Sequence, residues 1–376
     1  MKVLFFPAFN QSRITRKVKM TAAVLITFDS MKHLNTGMYS FGNSLGKEII
    51  RQNIEPDHDA FDLSVYMVRK QRAHFGASVG HVNYRKFHKL FFPFQRKFDL
   101  VHFTDQCCRL PPQRAGGRKI LTIHDMNQVH EFKGDGKKID VYLGKLKAKI
   151  DACDRIVTIS HFVAANIVEH FPDTKEKLSV IYNGSEHLKA PQQHRPRHVP
   201  DGAFLFTIGM LCPKKNFHVL VPLLQNNDKQ LLIAGIVAPD YQQKILAEAK
   251  KFGVSERVII TGTISEDDKN WYYQHCEAFV FPSLAEGFGL PVIEAMGHGK
   301  PVFLSRLTSL PEIGGEAAYY FDHFEPEHMQ GVLEKGMHHF ATRDGVRAVL
   351  RNAGKYSWEQ AAKSYLALYR DCLQAG

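Results

Sequence analysis

FPSLAEGFGLPVIEAMGHGKPV, residues 281–302, is the stretch of this chain from which its architecture can be read. An apolar run closes at Pro282, a glycine-bearing loop follows over 283–290, and a short helical segment is expected over 292–297. Pro291 suits a first helical position, where its missing N–H costs nothing. Leu290 before it cannot cap, and no Glu or Gln stands at the third helical position. The first-turn N–H groups therefore lack a side-chain partner. A helix start with uncapped donors behind a glycine-rich approach is a ready anion site. Gly287 and Gly289 let the backbone come close to a ligand. Glu286 and Glu294, eight residues apart, bracket the loop. Glu286 precedes the glycines and is aimed at the same ligand. Glu294 is expected in the first helical turn, where complementing the helix dipole is its plainer use.

Outward from this stretch the pattern is strand, loop, helix, repeated. Residues 204–208, 231–237, 257–260, 278–281, 301–305 and 318–321 read as strands around it. Earlier in the chain, 22–28 (AAVLITF), 99–103, 119–123, 155–159 and 178–182 read the same way, with a helix expected over 43–51. Continuous apolar runs alternating with helical stretches indicate parallel βαβ units. Several runs end in polar residues: Asp105, His124, Ser160 and Asn183. Residues 186–202 are polar, hold three prolines and show no periodicity, which marks a linker. The fold class is therefore α/β, with two doubly wound Rossmann-like domains facing a cleft. The expected division is 21–185, linker 186–202, and 203–355. In such sheets ligands sit beyond the carboxyl ends of the strands.

The 376 residues suit two domains, and 44% hydrophobic with 23% charged residues is a globular composition. No apolar run approaches the roughly 20 residues of a membrane-spanning helix. Six cysteines are scattered without metal or disulfide spacing, the usage of a reducing, cytoplasmic compartment. Residues 1–20 carry Lys2, Arg13, Arg16, Lys17 and Lys19 ahead of the 22–28 run. Asp29 ends that run without a small-residue cleavage pattern, so 22–28 is read as a first strand and 1–20 as an extension, with Met20 a candidate start.

The net charge of +11 is one-sided: residues 1–185 hold 29 Lys and Arg against 17 Asp and Glu, the remainder 20 against 21. Residues 82–97 interleave five cations with five aromatics and are expected to form a helix with basic and aromatic faces. Lysines 133, 137, 138, 145, 147 and 149 add a second basic stretch. An anionic membrane surface or a phosphorylated acceptor fits both. No nucleic-acid module is present, so nucleic acid is not the expected partner.

The ordered set of motifs resembles the retaining glycosyltransferases of the GT-B fold, family four, over nearly the whole chain. The 286–302 stretch resembles the donor-binding signature of that family, and 209–216 (GMLCPKKN) its phosphate-contacting loop. LIAG (232–235), ITG (260–262) and TSLPEIGG (308–315) follow in the expected order. IHD (123–125), DRIVTIS (154–160) and IYNG (181–184) match the pattern of the first domain. YSWEQA (356–361) resembles the start of a C-terminal helix, 356–376, that crosses back onto that domain.

The resemblance implies roles. Glu286 with the amides of Gly287, Phe288 and Gly289, beside Leu290, would hold the donor sugar, and Glu294 the ribose hydroxyls. Lys215 would hold the diphosphate. Gly209 is followed by Met210 where the family often has an Arg; either Lys214 substitutes, or the site holds the diphosphate more weakly. Gly37 would abut the donor phosphate, and His124 would lie beside the reacting sugar. The catalytic candidates are thus Glu286, His124 and Lys215. Ser160 and Asn183 are expected to line the cleft without acting.

The implied reaction moves a hexosyl unit from a GDP- or UDP-linked sugar to a saccharide or lipid-linked acceptor with retention, in surface-polysaccharide synthesis. The departing phosphate takes the acceptor proton. No cofactor or metal is expected: Asp57-His58-Asp59 is formally a DxD, but no glycine loop lies near it and it reads as a solvated loop. An inactive nucleotide-sugar scaffold, or another GT-B enzyme such as an epimerase, stays open as an alternative.

Overall fold

The structure is a computed structural model that describes residues 21–32, 36–54, 60–68, 74–132, 134–186, 190–342 and 344–375. The 1–20 extension, Asn35, Asp57-His58-Asp59 and Lys133 lie outside them.

Seven parallel strands form the first sheet: β1 (Ala23–Thr27), β2 (Asp62–Met67), β3 (Gly80–Asn83), β4 (Leu100–Phe103), β5 (Arg118–Ile123), β6 (Arg155–Thr158) and β7 (Leu178–Val180), in the order 3-2-1-4-5-6-7. Six make the second: β8 (Phe204–Ile208), β9 (Gln230–Ala234), β10 (Val258–Gly262), β11 (Ala278–Phe281), β12 (Val302–Ser305) and β13 (Tyr319–Phe321), in the order 10-9-8-11-12-13. The order reverses beside the first strand of each sheet, between β1 and β4 and between β8 and β11. Ligand-binding crevices open at such points. The two doubly wound α/β domains read from the sequence are therefore present, with β2 and β3 added to the first.

The strands are the apolar runs because both faces of each sheet are covered. In the second domain Phe206, Leu232, Phe279 and Phe303 are fully buried in one continuous core. The first sheet has a core on each face: Val24, Ile26 and Val65 pack on one side, Leu25, Val101 and Leu121 on the other. The helix Trp358–Gln374 completes the first of these with Ala362, Tyr365, Leu366 and Tyr369. It lies on the helix Gly37–Asn53 of the first domain. Its tyrosines join a buried polar network: Tyr369 OH is 2.6 Å from His102 Nδ1, and Thr122 Oγ1 bridges His102 Nε2 (2.9 Å) to Tyr365 OH (3.0 Å). Burial, with the neighbouring His124 adding to it, presses His102 down to about 3.

Two expectations are corrected. Residues 82–97 do not form an amphipathic helix: β3 ends at Asn83, a single 3-10 turn spans Lys86–Lys89, and turns follow. His88 and Phe92 are 1% exposed and pin the segment to the sheet, with His88 Nδ1 3.0 Å from Tyr66 OH. Their inward turn, and Pro93, prevent a continuous helix. The first helix is also longer than 43–51, starting at Gly37 behind the Thr36 cap, whose hydroxyl accepts from Tyr39 N at 3.3 Å.

Candidate active site

A cleft of about 480 Å³ lies between the domains at the carboxyl ends of both sheets. All the residues singled out for the donor line it: Gly37 and His124 from the first domain, and Gly209, Lys214, Lys215, Glu286, Gly287, Phe288, Gly289, Leu290 and Glu294 from the second. Asn183 and Met210 line it too.

The signature stretch starts its helix one residue earlier than expected. Gly289, at φ +109°, is the N-cap of Leu290–Gly297, so Pro291 is the second helical residue and Glu294 the fifth. A positive φ turns the chain into the helix there, which glycine does without strain. Glu294 is thus not in the first turn. No side chain caps this helix, as read. Gly287 has a different reason for its missing side chain: a Cβ would come 1.9 Å from the His124 carbonyl oxygen of the first domain. The loop is clamped on its other side by Ser309, whose Oγ lies 3.0 Å from both the Glu286 and Phe288 carbonyls. Thr308 Oγ1 accepts from Glu286 N at 3.0 Å. Ser160 is not a cleft residue. It is fully buried and donates to the Gly287 carbonyl at 2.7 Å, because it caps the helix His161–His170 at the domain seam. Ile159, Phe288, Ile293, Ile313 and Tyr356 form the apolar part of that seam.

Opposite charges are brought together. Lys215 Nζ is ion-paired to Glu286 and lies 4.9 Å from the Phe281 ring centroid. Lys214 Nζ is 3.3 Å from Glu131 of the first domain. Burial would lower the Lys214 ammonium, but the Asp125, Glu286 and Glu131 carboxylates outweigh it and hold it above the ordinary lysine range. Asp125 is raised by burial, with its bond from Asn127 N and the Lys214 charge opposing. His124 is 8% exposed, and its Nε2 donates to the Thr104 carbonyl at 2.8 Å. The Phe41 ring meets it edge-on at 4.5 Å between centroids. Gly37 opens a 17-residue helix, and a Cβ on it would meet nothing within 4 Å. Protein packing therefore does not demand glycine there, and the free space lies at a helix start that carries partial positive charge.

Asp125 lines the cleft beside His124, as its place at a strand end facing the cleft leads one to expect. Lys269 is a cleft residue that the sequence does not reveal. Lys269, on the helix Glu266–His275, carried no motif: its helix is announced by the Ser265/Asp268 capping box, and nothing in the spacing marks the lysine. Its Nζ is 3.0 Å from Glu294 Oε1, while Tyr273 OH donates to Glu294 Oε2 at 2.9 Å.

A family model described as Glycosyltransferase Family 4 matches residues 57–187, and one described as Glycosyl transferases group 1 matches 190–353. Between them they take in both domains, and the chain belongs to the group 1, family-four glycosyltransferases. It is 29% identical over 283 residues to the serotype-specific mannosyltransferase WbdA of Escherichia coli, covering 69% of this chain and 34% of that protein. The chain spans only about a third of the length of the WbdA proteins it matches. The O-antigen chain mannosyltransferase B of Escherichia coli is 25% identical over 67% of this chain and 70% of its own. Among solved structures, Anabaena HepE in complex with UDP and glucose superposes with a TM-score of 0.71 at 16% identity, over 93% of this chain and 99% of that one. Sucrose-phosphate synthase from Thermosynechococcus elongatus gives 0.70 at 16%, over 94% and 100%. These are GT-B folds, as is this one.

Proposed function

We propose that this chain transfers a hexosyl unit, with retention, from a GDP- or UDP-linked sugar to a saccharide acceptor in the synthesis of lipopolysaccharide or a related surface glycan. One observation carries the reading. Across a single cleft the first domain presents a helix start with open space at Gly37, and the second presents Lys214, Lys215, Glu286 and Glu294. A diphosphate leaving group gains negative charge as the glycosidic bond breaks, and fixed cations with helix-start amides stabilise it. Glu286, oriented by Lys215, would accept hydrogen bonds from the sugar hydroxyls, and Glu294 from the ribose. The acceptor hydroxyl would enter on the face the diphosphate leaves and give its proton to the departing phosphate. His124, held by the Thr104 carbonyl, would flank the reacting carbon. The two lysines supply the positive charge that a divalent cation would otherwise bring, so the reaction is proposed to be metal-independent. The relatives include serotype-specific and O-antigen chain mannosyltransferases, which makes a mannosyl donor the first to try.

The acceptor is proposed to be lipid-linked, and the enzyme peripheral on the inner face of an anionic cytoplasmic membrane. No helix among the described residues is long and apolar enough to cross a membrane. Phe87, Leu90, Phe91 and Phe94 are 49%, 75%, 61% and 37% exposed. Arg85, Lys86, Lys89, Arg96 and Lys97 surround them, all exposed. Apolar tips among cations suit an anionic interface. In the second basic stretch Lys147 is paired with Asp151 at 2.6 Å, Lys138 with Asp135 at 2.9 Å, and Lys149 donates to the Gln106 carbonyl, which leaves the 85–97 segment as the stronger support.

Calorimetric titration with GDP, UDP, ADP and CMP, without metal, tests the donor reading beside Glu294→Ala. One nucleotide is expected to bind clearly best and to be weakened by the substitution. Binding of none of them would refute the metal-free donor reading, and a titration with added divalent cation would then separate a metal-dependent site from no donor site.

A further inference from the structure

Lys269 is a buried ammonium in the wall of the cleft, with its side chain 13% exposed. It bridges two carboxylates, Glu294 at 3.0 Å and Glu266 at 2.9 Å. Burial works against its charge, and those carboxylates outweigh it, holding Lys269 above the usual lysine range. An ammonium has three donor hydrogens, and the two carboxylates account for two. Glu294 in turn has one oxygen on Lys269 and the other on Tyr273 OH, each with acceptor capacity left over. A buried ion pair is costly to desolvate unless further hydrogen bonds complete it. Lys269 and Glu294 both face the main cleft and an adjoining cavity of about 220 Å³, so a ligand can reach the pair. What such a pair complements is a vicinal diol: each hydroxyl can donate to the carboxylate, and one hydroxyl oxygen can accept the remaining hydrogen of the ammonium.

We propose that Lys269 is a ribose-binding residue of the donor site, which orients the Glu294 carboxylate and donates its remaining hydrogen to a ribose hydroxyl oxygen. The inference rests on the donor reading above. It makes the affinity for the nucleotide depend on the ribose diol through Lys269 and not through Glu294 alone.

Titration with GDP and UDP and with their 2′,3′-dideoxy forms tests it first on the unaltered protein. The nucleotide that binds is expected to lose roughly 10- to 100-fold as its dideoxy form, the range for hydrogen bonds to charged groups. Lys269→Met is expected to weaken the ribose form by a similar factor and to leave the dideoxy form within about twofold, while Lys269→Arg recovers part of the loss. Thermal midpoints of both variants report whether they fold. If the unaltered protein binds neither nucleotide, this inference falls together with the donor reading. If ribose and dideoxy forms bind alike, or Lys269→Met weakens both equally or neither, the donor reading stands and Lys269 is a structural tie.

Discussion

Asp29 shows how much a single buried group can matter. It follows β1, is 2% exposed, and accepts from Arg109 N at 2.8 Å through Oδ2, while Oδ1 has no partner among the described residues. Burial raises its carboxyl to about 6, with the Arg109 amide opposing and the Asp105 charge adding. The native state therefore holds the proton more tightly than the unfolded chain. That contribution is fully present below about pH 4 and is lost as pH rises through 6. Asp29→Asn should stabilise the protein by about 2–3 kcal/mol at pH 7.5 and give no gain at pH 4. Urea unfolding at the two pH values measures this, and a pH-independent difference would count against it. At the same scale, the positive φ of Gly289 and the space beside Gly37 assign each glycine its own purpose, which composition does not reveal.

The C-terminal helix is built into the core of the first domain. Trp358, Ala362, Tyr365, Leu366 and Tyr369 supply one flank of its core. The helix also satisfies His102, which sits fully buried in the middle of β4. Tyr369→Phe keeps the ring and removes the hydroxyl, leaving a buried imidazole nitrogen unpaired. The expected cost is about 1–3 kcal/mol in urea unfolding. No measurable change would mean that the network adds nothing to the packing. The helix start of the signature stretch behaves differently. Its amides are left without a side-chain cap, an arrangement that favours an incoming anion over stability.

At the scale of the whole molecule, the two domains touch through polar clamps around the signature loop. Glu312 of the second domain accepts from His161 N and Phe162 N of the first, at 2.8 and 2.9 Å, and Ser160 holds the Gly287 carbonyl. These contacts seat Gly287 against the backbone of the first domain's His124. The uneven charge belongs to this scale as well, since the surplus lies entirely in the first half of the chain. Sedimentation with phosphatidylglycerol vesicles at low salt should retain the protein, and Leu90→Ser with Phe91→Ser should release it with nucleotide affinity unchanged. Failure of anionic vesicles to retain the unaltered protein would sink the membrane reading.

How much of this was legible in the sequence depends on where the physical cause lies. Strands buried on both faces are continuous apolar runs, so eleven of them could be read directly, and their alternation with helices set the α/β class. β2 and β3 were missed because DLSVYM mixes polar with apolar positions and GHVN is a four-residue edge strand with little to bury. The glycines and paired glutamates of 286–294 were legible because close approach and charge require particular residue types at close spacing. A lysine recruited by Glu294 from another helix, the contact with His124 of the opposite domain that requires Gly287 to lack a side chain, and aromatics turned outward where a helix was expected were not. Each is decided by which distant segments meet, and local sequence determines what a segment prefers while only tertiary packing determines what it faces.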